Sequence, residues 1–428
     1  MQKVTTRNFD TPNSFRIDTY IKNQGYEAAR KALTQMTPAQ VIDEVKNANL
    51  RGLGGAGFAT GMKWSFIPKD NPKPKYLVVN GDEGEPGTFK DKYILELDPH
   101  ALIEGMIITC YAIGSHKGYV YIRGEYLKSI ERLRSAIQEA HQKGFLGKGI
   151  MGTSFDLEIV VHQGAGAYIC GEETALLESL EGKKGFPRLK PPFPAVVGLF
   201  GCPTVINNVE TLACVGPIIL KGAQWYAQLG CEKNGGNRIF CVSGHVNKPG
   251  IYELPNGTTL REIIYQHAGG ILNGRQLKAV IPGGISAPLL TPDQLDVKMD
   301  FDSLKAAGTM AGSGGIIVMD DSTCMVWAAM IAARFYAHES CGQCSPCREG
   351  SGWVYRNIKR IYHGEGRPVD LKNLPGIVGN IGGNTICAFG DAVTMCISSY
   401  VQKFRHEFEA HVNEEKCGLC SKHQEVAN

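Results

Sequence analysis

Four cysteines in the last hundred residues constrain this chain most strongly. Cys341, Cys344 and Cys347 stand within seven residues, in the segment Cys-Gly-Gln-Cys-Ser-Pro-Cys, and Cys387 follows far downstream. Zinc sites usually take their ligands as two separated pairs. Three close thiols and one remote thiol instead suit a [4Fe-4S] cluster, in which each thiolate binds a different iron atom. The spacing therefore predicts a metal centre and favours iron–sulfur over zinc.

The remaining cysteines carry less information. Cys396 is the alternative fourth ligand, but the segment 392–401 has the apolar period of a buried helix face, so we expect Cys387 instead. Cys417 and Cys420 form a separate pair in a polar stretch, and one pair cannot close a tetrahedral site. We interpret them as a tail pair. Of the 14 cysteines, four are assigned to the cluster and two to the tail pair. The remaining eight, which include Cys396, are expected to be packing thiols, because disulfide scaffolds belong to short secreted chains.

The length of 428 residues allows about three domains, and the residue pattern changes character along it. Thr37 is a plausible N-cap before Pro38, which predicts a helix. Short β-rich runs at 76–79, 119–122 and 157–161 then alternate with helical stretches at 127–143 and 172–181, an α/β pattern. We expect a helical segment at 1–50, an α/β domain at 51–235, an α+β module at 236–321 and a helical region at 322–428.

The α+β module is predicted from four strands and one helix start. A Pro-Gly turn separates the first two strands, and Thr259 with Glu262 fits a capping box. The predicted strands are 239–243, 251–254, 277–281 and 315–319.

Glycine accounts for 52 residues, and its densest run is Arg-Gly-Leu-Gly-Gly-Ala-Gly-Phe at 51–58. This run contains G-x-G-x-x-G, but a dinucleotide fingerprint requires a strand before the loop, and here a helical pattern precedes it. Consecutive glycines still let backbone amides converge on an anion, with Arg51 and Lys63 adding charge. A phosphate-bearing ligand is favoured over a merely tight turn.

Two further glycine-rich loops follow predicted strands, at 80–91 and at 161–173. The carboxyl ends of strands are where α/β proteins bind ligands, and carboxylates there suit sugar or ribityl hydroxyls. Glu172 and Glu173 equally suit the positive end of a helix. A carboxylate that binds a ribose diol would repel an added phosphate, favouring NAD over NADP. Lys190 and Phe193 lie on a stiff Pro-rich segment, and 204–211 offers side-chain amides.

Charge and hydropathy exclude other classes. The formal net charge of +3 is too balanced for nucleic acid or an anionic membrane as the main partner. The longest apolar run, Cys324–Ala333, is about half of a membrane-spanning helix. No signal-peptide core follows Met1. We therefore expect a cytoplasmic protein without membrane insertion.

Taken together, these motifs resemble the NADH-binding flavoprotein subunits of respiratory NADH:quinone oxidoreductases, over nearly the whole chain. The resemblance implies a Rossmann-like but atypical α/β domain, a β-grasp module and a C-terminal helix bundle with the cluster. It implies FMN as cofactor, NADH as substrate, and one [4Fe-4S] cluster on Cys341, Cys344, Cys347 and Cys387. The implied FMN contacts are Gly52, Gly54, Gly55, Lys63, Asn80, Asp82, Glu83, Tyr168, Gly171, Glu172, Asn207, Asn208 and Thr211. The implied NADH contacts are Phe58, Phe66, Glu85, Glu173, Lys190 and Phe193.

The resemblance also implies an activity and partners. NADH would pass a hydride to FMN, and single electrons would leave through the cluster to partner subunits and finally to quinone. The implied partners are a small thioredoxin-like [2Fe-2S] subunit and a larger iron–sulfur subunit, at the inner side of an energy-transducing membrane. Leu53 replaces an arginine that the family usually carries, so any phosphate contact from that side chain is absent.

Two alternatives stay open at this point. The first is the diaphorase subunit of a soluble NAD-linked hydrogenase or formate dehydrogenase, which shares these motifs. Such subunits often carry a fused thioredoxin-like domain, and only about fifty helical residues precede the flavin module here, which favours a separate subunit. The second is a non-catalytic scaffold with zinc in the cysteine site.

Overall fold

The computed structural model describes residues 2–413, and the Cys417–Cys420 pair lies outside them. A four-stranded parallel sheet of order β3-β2-β1-β4 organises the first part of the chain. Its two central strands are mostly buried and rich in Val and Tyr, as expected for parallel strands covered on both faces. The strands are β1 (Tyr76–Gly81), β2 (Lys117–Ile122), β3 (Glu158–Gln163) and β4 (Thr204–Asn208).

The first three strands confirm the predicted ones, but β4 was not predicted. It pairs with β1 on the side opposite β2, so the strand order reverses between β1 and β4. In open α/β sheets, ligands bind outside the carboxyl ends of the strands at such a switch point. The fold therefore directs attention to the residues that follow β1 and β4.

Helices surround this sheet, and those before residue 50 share its core. Val41 and Val45 of α3 belong to the same buried cluster as Leu77 and Val79 of β1. Thr37 is the N-cap of α3 as predicted, and it forms reciprocal hydrogen bonds with Gln40 that were not predicted. The helices are α1 (Ile17–Lys22), α2 (Glu27–Gln35), α3 (Pro38–Asn47), α4 (Thr60–Ser65), α5 (Asp91–Leu97), α6 (Pro99–Ile113), α7 (Leu127–Gln142), α8 (Glu173–Leu180), α9 (Val209–Ala213), α10 (Val215–Lys221) and α11 (Ala223–Leu229).

A second, mixed sheet of order β6-β5-β8-β7 follows. Its strands confirm the predicted ones, and β5 pairs with β8 in parallel but with β6 antiparallel. Thr259 accepts a hydrogen bond from the Glu262 amide at 3.2 Å, which is one of the two bonds of the predicted capping box. The helix is short and continues as one π-helical turn. The elements are β5 (Asn237–Gly244), β6 (Gly250–Pro255), α12 (Leu260–Glu262), β7 (Leu277–Ile281), α13 (Phe301–Ala306) and β8 (Gly315–Asp320).

The last part is helical and packs on the first sheet. Alternate residues of β1 face opposite cores: Leu77 and Val79 join the N-terminal helices, whereas Val78 joins the C-terminal helices. This period of two places the cysteine-bearing helices next to the sheet. No helix within residues 2–413 is long and apolar enough to cross a membrane. The helices are α14 (Met325–Glu339), α15 (Ser345–Tyr362), α16 (Pro368–Gly379), α17 (Phe389–Lys403) and α18 (Arg405–Asn413).

Candidate active site and metal centre

The three glycine-rich loops converge at the carboxyl edge of the first sheet. The loop after β1 is joined to the loop after β3, because the Asn80 side chain donates to the Gly171 carbonyl at 2.8 Å. The first loop reaches β4, where a Cβ on Gly54 would lie 2.9 Å from the Asn208 Cβ. These loops flank the switch point between β1 and β4. We call the residues 52–58, 80–85, 168–173 and 207–211 the edge site.

The first loop is closed on itself and tied to α9. The Gly52 amide donates to the Phe58 carbonyl at 2.8 Å, and the Leu53 amide donates to the Thr211 hydroxyl at 2.9 Å. The Leu53 side chain is only 1% exposed and joins the core. The loop therefore presents backbone and glycine Cα atoms, not a long side chain, to the edge site.

Asp82 brings an unsatisfied carboxylate oxygen to the edge site. Its Oδ2 is buried and makes no hydrogen bond within the described part of the chain. Burial raises the pKa of Asp82 to about 7, with Arg123 opposing the rise and Glu125 and Glu339 adding to it. A buried carboxylate without a partner is costly, so this atom suits a hydroxyl donor from a bound ligand.

Glu83 is placed differently from Asp82. Its carboxylate accepts the amides of Lys90 and Asp91 at 2.8 Å each, that of Lys92 at 3.1 Å, and the Tyr126 hydroxyl at 3.1 Å. These amides belong to the start of α5, where acceptors are scarce. Glu83 therefore connects the loop after β1 to the start of α5. Its predicted contact with the flavin stays a prediction.

An ion-pair network lies beside the loops. Lys190 Nζ lies 2.7 Å from Glu173 Oε1 and 3.0 Å from Glu172 Oε1, and Lys63 Nζ lies 3.2 Å from Glu173 Oε2. Burial would raise the pKa of Glu173, but Lys63 and Lys190 outweigh it and hold that pKa below its ordinary value. Glu172 also caps α8 by accepting the Thr174 and Ala175 amides. Glu172 thus fills its predicted role at the start of a helix, and its predicted contact with FMN stays a prediction.

Three of the predicted NADH residues are exposed aromatic rings. Phe58, Phe66 and Phe193 are 48%, 52% and 57% exposed, and the first two have ring centroids 6.1 Å apart. Phe58 ends the first glycine loop, Phe66 caps α4, and Phe193 follows Lys190 closely in sequence. Exposed rings near glycine loops offer stacking surfaces for planar ring systems.

Glu85 and Tyr168 join the edge site to the rest of the protein. The Tyr168 hydroxyl donates to Glu85 Oε2 at 2.6 Å, and Glu85 Oε1 accepts the Ser286 amide at 2.8 Å. Burial raises the pKa of both the Glu85 and the Tyr168 side chains. Ser286 was not singled out from the sequence, because it lies in the second sheet module.

The two asparagines at the end of β4 are already partnered. The Trp64 indole donates to Asn207 Oδ1 at 2.8 Å, and the Asn208 side chain donates to Asp91 at 2.6 Å. Lys90 is fully buried next to Asn208. Its Nζ lies 2.8 Å from Asp91 Oδ1 and 2.9 Å from Glu210 Oε2. Trp64 and Lys90 position the predicted flavin residues, and neither was predicted, because no local motif marks them.

The four predicted cluster ligands lie at the N-terminal ends of α15 and α17. Cys344 occupies the N-cap position of α15, and Cys387 lies two residues before α17. The Ile386 amide donates to Cys344 Sγ at 3.4 Å, which joins the remote cysteine's segment to the close triplet. Burial raises the pKa of Cys387 to about 11, and Cys341 and Cys347 lie near enough to add to it. Within residues 2–413, no three Cys, His, Asp or Glu side chains already form a metal-ligating arrangement.

Cys396, the alternative ligand, faces elsewhere. It is fully buried within α17, and burial raises the pKa of its thiol well above the ordinary value. It packs in the core of the C-terminal helices. The structure thus groups Cys387, and not Cys396, with the triplet.

Matches to family models cover the three structural parts. Residues 45–217 match the Nuo51 FMN-binding domain, residues 239–288 match the SLBB domain, and residues 327–411 match the NADH-ubiquinone oxidoreductase-F iron–sulfur binding region. The fold is thus mixed α/β with an FMN-binding domain, an SLBB domain and a [4Fe-4S] region.

Curated relatives match over nearly their full length. The chain is 56% identical over 416 residues to the F 2 subunit of the NADH-quinone oxidoreductase of Rhizobium meliloti (strain 1021), covering 97% of this chain and 99% of the relative. It is 51% identical over 421 residues to the F subunit of the corresponding enzyme of Mycobacterium bovis, covering 97% and 94%. Among solved structures, an NAD⁺-reducing [NiFe]-hydrogenase in the air-oxidised state matches with a TM-score of 0.83 and 36% identity, over 93% of this chain and 68% of that chain.

Fold, site and matches define a class, that of NADH-oxidising flavoproteins with FMN and a [4Fe-4S] cluster. Within it, the chain belongs to the family of NADH-quinone oxidoreductase F subunits. It is one subunit of a multi-subunit complex and acts as its NADH dehydrogenase, through FMN and the cluster. The residues fit these groups: Asp82 offers a buried acceptor oxygen without a hydrogen bond among residues 2–413, the first loop offers backbone amides, and four thiols lie near two helix starts.

Proposed function

We propose that the edge site binds FMN and that NADH binds next to the FMN. We also propose that the four cysteines near the starts of α15 and α17 hold the cluster. The observation that carries this proposal is the joining of the loops: Asn80 bonds to Gly171, and Tyr168 bonds to Glu85. The proposed flavin residues are Gly52, Gly54, Gly55, Lys63, Asn80, Asp82, Glu83, Tyr168, Gly171, Glu172, Asn207, Asn208 and Thr211. The proposed cluster ligands are Cys341, Cys344, Cys347 and Cys387.

Each group of residues has its own task in this proposal. The amides of the first loop bind the FMN phosphate, and Asp82 accepts a ribityl hydroxyl. The exposed rings of Phe58, Phe66 and Phe193 bind the flat rings of NADH. FMN, when bound, takes two electrons from NADH and releases them singly to a one-electron carrier. The protein contributes position and exclusion of water, without a general acid or base in the hydride step.

Glu173, Lys190 and Glu85 complete the proposed NADH site. Glu173 is held ionised by two lysines, so it accepts ribose hydroxyls and repels an added phosphate. Lys190 can exchange its carboxylate partner for a nucleotide phosphate, because both are anionic acceptors.

The experiment compares one variant from each proposed set in purified protein. Asn80→Ala should lower the FMN content, because it removes the bond that joins two loops. Phe193→Ala should keep the FMN content and raise the KM for NADH, because it removes an exposed ring that binds NADH and leaves the contacts between the loops unchanged. Equal FMN loss in both variants would contradict the separation of the two sets.

We further propose the domain layout and the setting. The divisions are 1–50, 51–235, 236–321 and 322–428, with a β-grasp arrangement in the third and a helix bundle in the fourth. The partners are a small thioredoxin-like [2Fe-2S] subunit and a larger iron–sulfur subunit, with no nucleic acid and no membrane insertion. The complex lies at the inner, cytoplasmic side of an energy-transducing membrane, where quinone receives the electrons.

A second candidate is the diaphorase subunit of a soluble NAD-linked hydrogenase or formate dehydrogenase. The structural match to an NAD⁺-reducing [NiFe]-hydrogenase supports it, while the 51% and 56% identity to the two F subunits favours the first. Purification of the tagged chain from its own cells separates the two. Recovery of NADH-dependent quinone reduction supports the first, and recovery of hydrogen or formate oxidation supports the second.

A further inference from the structure

Glu339 links the two proposed cofactor regions. It is the last residue of α14 and stands two positions before Cys341. Its Oε2 accepts the backbone amide of Tyr168 at 3.1 Å, across 171 residues of sequence. Tyr168 belongs to the loop after β3, in the edge site. One side chain thus ties the cluster segment to the flavin loop.

The position of Glu339 is unusual for an acidic residue. The C-terminal end of a helix carries partial negative charge, which disfavours a carboxylate there. A charge-assisted hydrogen bond to the Tyr168 amide compensates for this. The carboxylate therefore serves a contact outside its own helix.

Aromatic contacts support the same link. The Tyr168 ring lies 5.1 Å from the Phe335 ring of α14 and 5.9 Å from the Phe389 ring that begins α17. Phe389 is two residues after Cys387. Both cysteine segments are therefore flanked by residues that touch Tyr168, and Glu339 fixes the Tyr168 backbone among them.

We propose that Glu339 is a positioning residue that holds the flavin loop against the cluster segment and so sets the efficiency of electron transfer between them. The inference rests on the proposed placement of FMN and the cluster. The step concerned moves one electron from reduced FMN to the oxidised cluster, with no bond made or broken, and NADH is the reductant. Transfer depends on the separation of donor and acceptor, so loosening this contact slows it.

The test compares three variants of the full chain carrying both cofactors. Glu339→Ala removes the acceptor, whereas Glu339→Gln retains an oxygen that can accept the Tyr168 amide. Glu349→Ala is the matched control, because Glu349 is an exposed carboxylate near Cys347 that pairs only with Arg348 among the described contacts. Rapid mixing with NADH follows the flavin by absorbance and the cluster by freeze-quench EPR. Hydrogen exchange reports the Tyr168 amide directly.

In Glu339→Ala we expect faster exchange at Tyr168 and cluster reduction slowed about tenfold relative to flavin reduction, the scale of a small misplacement. Glu339→Gln and Glu349→Ala should match the wild type in amide exchange at Tyr168 and in the rate of cluster reduction. The proposal is overturned if cluster reduction in Glu339→Ala keeps pace, or if Glu339→Gln is equally slow. If Glu339→Ala does not retain both cofactors, Glu339→Asp, one methylene shorter, is measured in its place with the same criteria. Absence of FMN or cluster from wild type would instead refute the proposed placement itself.

Discussion

Lys190 and Glu173 form an ion pair at 2.7 Å beside the proposed NADH site. Glu173 also pairs with Lys63 of α4, so one carboxylate is shared by two lysines that lie far apart in sequence. Both lysines favour its ionised form. A permanently charged carboxylate at this place can discriminate between ligands by their phosphates.

The first prediction concerns that discrimination. Glu173→Ala should raise the use of NADPH relative to NADH by about tenfold, because repulsion of the 2′-phosphate disappears, Lys63 loses its carboxylate partner and Lys190 keeps only Glu172. Steady-state kcat/KM for both nucleotides measures the effect. Glu158→Gln, at an exposed edge-strand position, is the control. An unchanged NADPH to NADH ratio in Glu173→Ala would show that this carboxylate does not set the preference.

The second prediction separates the two candidate fourth ligands. Cys387→Ser should lose the [4Fe-4S] cluster and its iron while keeping FMN, because a hydroxyl replaces the thiolate. Cys396→Ser should keep the cluster and lose stability by about 1 kcal/mol, because it places a hydroxyl in a packed core. Iron analysis and EPR decide. Cluster loss in Cys396→Ser alone would reverse the assignment.

The sequence predicted strands and loops well where the signal was local. The runs at 76–79 and 119–122 are Val- and Tyr-rich, and both are strands. The strand β4 was not predicted, because it has only five residues and ends in two asparagines, which are rare in strands. Its recognition needs the partner strand β1, which lies far away in sequence.

The third prediction concerns the first glycine loop. Gly54→Ala should weaken FMN binding about tenfold, because its Cβ would lie 2.9 Å from the Asn208 Cβ and push the loop away. Gly376→Ala is the matched control, because a Cβ there meets nothing within 4 Å, and alanine stabilises a helix. Fluorescence titration of FMN measures both. Equal affinities in the two variants would place the flavin elsewhere.

The fourth prediction is a pH dependence from Asp82. Its pKa is 3.8 ordinarily and about 7 in the folded protein, so between these values the folded state holds a proton that the unfolded state lacks. The stability of the folded state therefore falls as pH rises from about 4 to about 7, by about 4 kcal/mol in total, and this contribution stays constant above about pH 7.

Asp82→Asn removes this contribution. Denaturant unfolding between about pH 5 and about pH 8 should show a smaller loss of stability in Asp82→Asn than in wild type. Asp18→Asn, at an exposed position, should follow wild type. Parallel curves for wild type and Asp82→Asn would contradict the raised pKa.

The contacts that organise the site were beyond the sequence. Trp64 to Asn207 and Glu339 to Tyr168 join segments more than a hundred residues apart. Nothing local marks either partner, because the bond forms only when the sheet brings the loops together. Residue types and spacing indicated which chemistry to expect, and the fold determined which side chains support it.

Anaerobic titration with NADH, followed by absorbance and EPR, tests the central claim most directly. The account predicts flavin bleaching together with a cluster EPR signal, and uptake of about 1.5 NADH per chain, since FMN takes two electrons and the cluster one. Bleaching that ends at about one NADH per chain without any cluster signal would contradict transfer from the flavin to the cluster.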